Sequence, residues 1–549
     1  MSSSSEQSVS QPPAPRPRKS AVPKVVAVLI VVVIVLGAGL YVFKGNLFPS
    51  SNTSQTLVIG SSATVASFDP AVAFDTGSVL FDDQIYNTLI GYGTTTVNGT
   101  TYGALTPVPE LATNWTVNPN GSILFTLRQG VKFSNGDAFN ASAVKFSLDR
   151  IITMKQGADF HVFKFLNESG VQIKSTYSVL VIPSRPYPWF LNLFQLWVTG
   201  IVDPGYVNAH GGVQAGKVNT WMATHAMGTG PYVLNSSTSS EIILQSNPNY
   251  WGTAPKITKV VYDIIPSPAT QQTELQGGTI NIALNIPPSQ LSTVRNYSGV
   301  QVSSGPTSSE YYIGLDENVT PFNNTLVRQA MIYATNQTNI VKHSTYGTGI
   351  PIRSVIAPTI ESYFNAFANY SFNPQKARQL LAQAGYPNGF STKFYYTSGD
   401  PVGEAIFTIL QQELNNVGVN ITGVPLTSAQ FNDQAGLGTF PMFFEGWVNL
   451  LATPDDGMYP LFNAGNLGIY GNYNYFNNST VSNLLVTAGQ TLSATQRDAM
   501  YHQAQQILAD QAVEIPLFNL QNVIPHTTNL HDLYIYPTFD MYFVQMYMT

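Results

Sequence analysis

Apolar and polar residues alternate over Ile123, Phe125 and Leu127, a period of two that predicts a half-buried strand. Asn118-Pro119-Asn120-Gly121 precedes it, where the fixed φ of proline and the freedom of glycine favour a tight turn. A second turn, Ser134-Asn135-Gly136-Asp137, follows it. Beyond that turn the period changes. Val144, Leu148, Ile151 and Ile152 fall at i, i+4, i+7 and i+8, one apolar face of a helix that Asn140 can cap. Three later segments repeat the helical pattern. Asn373-Pro374 supplies a cap and a first-turn proline before Ala377, Leu380, Leu381 and Ala384, and Gly385 can end that helix in a left-handed conformation. Ile406, Leu410, Leu414 and Val417 are closed by Gly418, and Ser493 with Gln496 spells a capping box ahead of Met500, Ala504, Ile507 and Leu508. The strand-like LVIGSS opens this body near residue 56, so the chain reads as mixed α/β without an internal repeat.

One apolar run has no polar period at all. Residues 25–43 are nearly unbroken in hydrophobicity, close to the ~20 residues a membrane-crossing helix needs. Arg16, Arg18, Lys19 and Lys24 precede the run and only Lys44 follows closely, which predicts an anchor with residues 1–24 as a disordered cytoplasmic tail and the bulk of the chain outside. A cleaved signal peptide is the alternative, against which stand the length of the run and the lack of a small-x-small cleavage site. Residues 44–55 read as a linker.

Composition narrows the function classes. Only 10% of residues are charged, so Asn, Thr, Ser, Gln and Tyr must supply the polar surface. An exterior of this kind changes charge little with pH and would suit an acidic medium. Four of the 24 basic residues and one of the 30 acidic ones precede the apolar run, leaving 20 against 29 in the remainder. No basic stripe exists to hold a phosphate backbone. The absence of cysteine removes disulfides, thiolate nucleophiles and lipid attachment through an N-terminal cysteine.

Ordered motifs carry a family resemblance. PELATNWTVNPNGSILFTLRQGVKFSNGDAFNASAVKFSLDRI follows SFDPAVAFDTGSVLFDDQIYNTLIGY, and GTGPYVL, NPNYWG, GGTINIAL, PFNNTLVRQAMIYATNQTNIV, FNPQKARQLLAQAGYPNGF and TQRDAMYHQAQQILADQAVEIPLF come after them in order. In this order they resemble the family 5 extracellular solute-binding proteins of ABC importers, the peptide, nickel and oligosaccharide group. The resemblance implies a two-lobed periplasmic-binding-protein-like fold of the large three-domain variant. Lobe I would combine 56–95, 228–306 and 516–549, with a family-specific extra domain at 96–227, and lobe II would span 307–515. The implied partners are ABC permease subunits with cytoplasmic ATPase subunits, and the implied ectodomain is a monomer that binds peptides or oligosaccharides. In peptide-binding relatives an aspartate three residues after the Gly-Trp tryptophan pairs with the ligand's amino group, whereas EGWVNLLATPDD places Leu450 there. A leucine cannot neutralise an ammonium, which favours an uncharged sugar. Trp447 and Asn449 are the implied cleft residues, with Phe68 and Asn519 as candidates from the opposite lobe.

Other chemical signals have plainer readings. The histidines 161, 210, 225, 343, 502, 526 and 531 show no metal-ligand spacing, and no cofactor motif is present. Ser142 and Lys145 match S-x-x-K without its companion motifs, so Lys145 reads as a solvated side chain and the chain as a binding protein, with an extracellular hydrolase or a surface-layer protein as alternatives. The glycines of GTGPY open into a strand and read as a turn with close backbone approach. Asp455 and Asp456 read as solvated loop carboxylates. About fifteen Asn-x-Ser/Thr sites follow the apolar run.

Overall fold

The computed structural model describes residues 55–157, 162, 164–468 and 471–549. The proposed tail, anchor and linker up to residue 54 lie outside the described residues, as does His161. Among the described residues no helix is long and apolar enough to cross a membrane. Residues 55–549 form one compact unit.

A twelve-stranded mixed sheet runs through that unit; ten strands follow the order 419–426, 390–397, 442–448, 309–315, 514–527, 282–283, 55–61, 257–264, 241–246 and 232–237, and 300–306 and 349–351 pair with 514–527 off that path. The strand Glu514–Thr527 belongs to two halves at once. Its first part pairs antiparallel with Ser309–Leu315 and Gly349–Pro351, and from Gln521 onward it pairs with Val300–Pro306. One continuous strand therefore crosses between two lobes. The boundary drawn at 515/516 falls inside this strand, and the one at 306/307 falls at the turn between Val300–Pro306 and Ser309–Leu315. Strand Gln55–Ser61 lies in parallel between Ile257–Ile264 and Ile282–Ala283. Packing on both faces explains its apolar run, with Leu57 and Ile59 fully buried on one side and Val58 partly buried on the other.

A separate four-stranded sheet, 112–117, 123–127, 178–181 and 171–175, carries the helix Ala141–Met154. Ile123, Phe125 and Leu127 are buried while Leu124 and Thr126 face out, as the alternation predicts. Asn140 accepts from the backbone N–H groups of Ser142 at 2.8 Å and Ala143 at 3.3 Å. This helix is tied to the lobe I segment by a fully buried ion pair between Arg150 and Asp69. Asp69 belongs to the Phe-Asp-Pro motif, and its other oxygen accepts from the Ala71 N–H.

The helix Pro374–Gln383 buries Ala377, Leu380 and Leu381, with Ala384 half-buried at its C-cap, and the helix Pro401–Asn415 buries Ile406, Leu410 and Leu414, with Val417 buried just past its end; Gly385 and Gly418 are left-handed beyond them. The helix Ala494–Asp510 differs. Ser493 makes no capping bond, and the buried stripe is Arg497, Tyr501, Ala504 and Leu508, with Met500 and Ile507 only partly covered. Arg497 causes the rotation: its guanidinium donates to the Thr491 carbonyl and to Glu361, drawing that face inward. Lys145 is a solvated helix residue paired with Asp149 at 2.7 Å. Gly228 and Gly230 lie against the backbone of Ile85, where a Cβ would come within 2.0 and 2.7 Å of its carbonyl oxygen.

Candidate ligand-binding cleft

A cavity of about 310 Å³ opens between the lobes where Glu514–Thr527 crosses. Lobe I lines it with one stripe of the helix Thr76–Ile85: Thr76, Val79, Leu80 and Asp83 stand at i, i+3, i+4 and i+7. Asp75 caps this helix, accepting from the Ser78 N–H at 2.9 Å and its hydroxyl at 2.6 Å. Gly77 is required, because a Cβ there would meet the Thr64 carbonyl at 2.4 Å. The opposite wall is Val448 and Leu450, at the end of the strand Met442–Val448. Asn522 and Ile524 of the crossing strand form the floor with Thr538, Phe539 and Met541. Phe539 is held at φ 69°, a conformation costly for a bulky residue, with 38% of its surface exposed.

Asp83 is the only charged side chain among the described residues lining the cavity. Burial pushes its carboxyl well up, and the adjoining Asp540 raises it further. Burial also pushes Asp540 up to about 6, although Thr538 donates its hydroxyl to that carboxylate. Two carboxyls in contact cannot both ionise cheaply, so the pair shares a proton.

None of the four residues expected at the cleft, Trp447, Asn449, Phe68 and Asn519, is among those lining this cavity. Trp447 lies across the strand from Val448; its indole Nε1 donates to the Asp456 carbonyl at 2.9 Å and its ring borders Gly471. Asn449 is fully buried, its amide donating to Asp456 Oδ2 at 2.9 Å and accepting from the Gly457 N–H at 3.1 Å. Asn519, also fully buried, donates to the carbonyls of Thr307 at 2.8 Å and Ser309 at 2.6 Å, fastening the two lobe-crossing segments together. Phe68 packs edge-on against Phe81, 5.5 Å between centroids, beneath the lobe I helix.

Asp455 and Asp456 occupy no solvated loop. They begin the helix Pro454–Phe462, capped by Thr453, because Asp456 Oδ2 turns inward to receive the Leu451 N–H at 3.0 Å. Burial, then Asp456, pushes Asp455 up to about 7 against the opposing pull of Arg185 and Lys164, which lie within residues 96–227. A second contact joins the same two parts. Trp189 donates to Glu361 at 2.5 Å, and Arg497 reaches the same carboxylate at 3.3 Å while lying 4.9 Å from the Trp189 ring. Removing this buried anchor in Trp189→Ala is expected to weaken ligand binding about tenfold by loosening closure, a loss of about 1.4 kcal/mol. Calorimetric titration checks this, and an unchanged affinity would count against the contact as a clasp.

Among the described residues no cluster of metal-ligating side chains occurs. The pattern known as "Bacterial extracellular solute-binding proteins, family 5 Middle" matches residues 106–468. The chain belongs to this family. The glutathione-binding protein GsiB of Shigella dysenteriae is 27% identical over 495 residues, covering 88% of this chain and 93% of that protein. The ABC transporter-associated periplasmic binding protein DppA of Helicobacter pylori, solved with the peptide STSA, superposes with a TM-score of 0.74 at 25% identity, covering 90% of this chain and 98% of the other. The dipeptide-binding protein of Pseudoalteromonas sp. SM9913, solved with Met-Leu, gives a TM-score of 0.74 at 22% identity over 90% of this chain and all of the other. The two-lobed α/β binding-protein fold follows from these matches.

Proposed function

We propose that this chain is the extracytoplasmic receptor of an ABC importer that captures short peptides between its lobes and delivers them to permease subunits driven by cytoplasmic ATPase subunits. The observation that carries the reading is the interlobe cavity, walled from both lobes across a single continuous strand. Closure about such a strand desolvates a ligand and lets both halves contact it. Lobe II then runs from about 307 to Leu520, with the hinge at Leu520 and Gln521, and the extra domain moves with lobe I. Residues 25–43 hold the receptor to the cell membrane with its body outside. Trp447, Asn449, Phe68 and Asn519 serve binding indirectly, by fixing the walls that present Val448, Leu450 and the helix Thr76–Ile85.

Leu450 removes a carboxylate from one wall, the basis for expecting a sugar, but Asp83 supplies one from the other. Peptides are therefore preferred over oligosaccharides, in keeping with the ligands named for the relatives. Gently purified full-length protein is expected to release short peptides, about one per chain, when denatured and examined by mass spectrometry. Release of an oligosaccharide would overturn the peptide assignment, and turnover of added peptide at catalytic protein concentrations would overturn the receptor reading. Leu450→Trp fills the cavity and is expected to reduce peptide retention at least tenfold, with an unchanged melting temperature as the control for folding.

A further inference from the structure

Asp83 projects from the apolar stripe of the helix Thr76–Ile85 into the cavity, and its Oδ2 has no hydrogen-bond donor within the protein. The groups acting on it are Asp540, Asp82 and Glu110, all acidic, and the phenols of Tyr92, Tyr536 and Tyr542 lie within their influence. No lysine or arginine is among them. Glu110 is already satisfied by Asn87 and by the N–H and hydroxyl of Thr88, and Thr538 holds Asp540 from behind. Asn522, on the cavity floor, makes no side-chain hydrogen bond among the described residues. The cavity thus offers one carboxyl, the amides of Asn285 and Asn522, and apolar walls.

We propose that Asp83 is the receptor for the ligand's primary ammonium group, so that a peptide enters with its free amino end against lobe I and its apolar body between Leu80, Val448 and Leu450. This rests on the cleft reading above and names the polarity of its ligand. Before binding, Asp83 and Asp540 share a proton. When the ammonium arrives, an N–H donates to Asp83 Oδ2, the shared proton leaves to the buffer, and the ligand keeps its charge. The second carboxylate, Asp540, orients Asp83 and doubles the negative charge facing the ligand. This places the charge recognition on the lobe opposite to the position occupied by Leu450.

The test uses the full-length protein in mild detergent. Matched libraries of di- to pentapeptides, with free or acetylated amino termini, are incubated with it, and retained peptides are read by mass spectrometry. The best binder is then titrated calorimetrically near pH 6 in two buffers of different ionisation enthalpy. Free-amino peptides are expected to bind at least a hundredfold more tightly than their acetylated forms and to release close to one proton per peptide. Asp83→Asn is expected to erase both the preference and the proton release. Should that variant fail to fold, proton release by the wild type decides. Equal affinity for the two libraries, with Leu450→Trp blocking both, would overturn the role of Asp83 and leave the cleft reading standing. Retention of neither library would remove the cleft reading itself.

Discussion

Arg150→Met is expected to destabilise the folded unit by about 3–5 kcal/mol, because it leaves the Asp69 carboxylate buried without its counter-charge. Both side chains are almost wholly enclosed, so water cannot take the place of the guanidinium. The loss is compounded by Asp82, 1% exposed, whose carboxyl oxygens have no donor and whose remaining favourable charge partner is also Arg150. Urea unfolding followed by circular dichroism measures the effect. The double change Asp69→Leu with Arg150→Met is expected to recover much of the loss, since an apolar pair of similar volume avoids the desolvation of both charges. A single substitution that costs less than about 1 kcal/mol would mean that the helix Ala141–Met154 is held to lobe I by packing alone. Because the pair links the Phe-Asp-Pro turn to the extra domain, its loss should also detach that domain's proton-exchange protection from the rest of the unit.

Elements whose buried face is apolar were legible in the sequence, since periodicity reports burial when side-chain type and environment agree. The strand Ile123–Leu127 and the helices after Asn140, Asn373 and Asp400 are of this kind. The helix Ala494–Asp510 misleads because its inward stripe contains Arg497, which is buried by a bond to another segment and not by hydrophobicity. Asp456 misleads for the same reason: its destination is the Leu451 N–H, a partner that only a completed turn provides. At the cleft, alternation alone puts Trp447 and Val448 on opposite faces but cannot say which face meets lobe I. The signal for the missing carboxylate was present. Thr76, Val79, Leu80 and Asp83 share one helical stripe, and an acid within a mostly apolar stripe marks either a buried ion pair or a ligand contact. What the local pattern lacks is the opposing wall, which comes from residues more than 350 positions away.

The folded unit is expected to be most stable in acid and to lose several kcal/mol as the pH rises from about 4.5 to 8. Burial pushes the carboxyls of Asp316 and Asp540 up to about 6 and those of Glu317, Glu445 and Asp455 up to about 7. Glu310 and Glu514, each 1% exposed, are raised well above the usual carboxylate range by burial, and Glu310 is raised further by Glu514 and Asp456. Neither oxygen of Glu310 has a donor. Each raised value means that the native state holds its proton after the unfolded chain has released it. The stabilisation is therefore complete below the unfolded value, roughly 4, and is lost progressively as the pH climbs through the folded values. Several half-buried members of the set are screened by solvent, so the sum stays well below the simple total. A melting temperature about 5–10 °C higher at pH 4.5 than at pH 8 is the expected calorimetric result. Glu310→Gln removes one of these titrations, and it should raise the melting temperature at pH 8 while leaving the acid value nearly unchanged. A melting temperature that falls steadily from pH 8 to pH 4.5 would show that these buried carboxyls do not govern the pH dependence of stability. The expected slope gives the low surface charge a physical setting: a receptor whose exterior has few charges to titrate and whose interior carboxyls are stable when protonated is suited to an acidic medium.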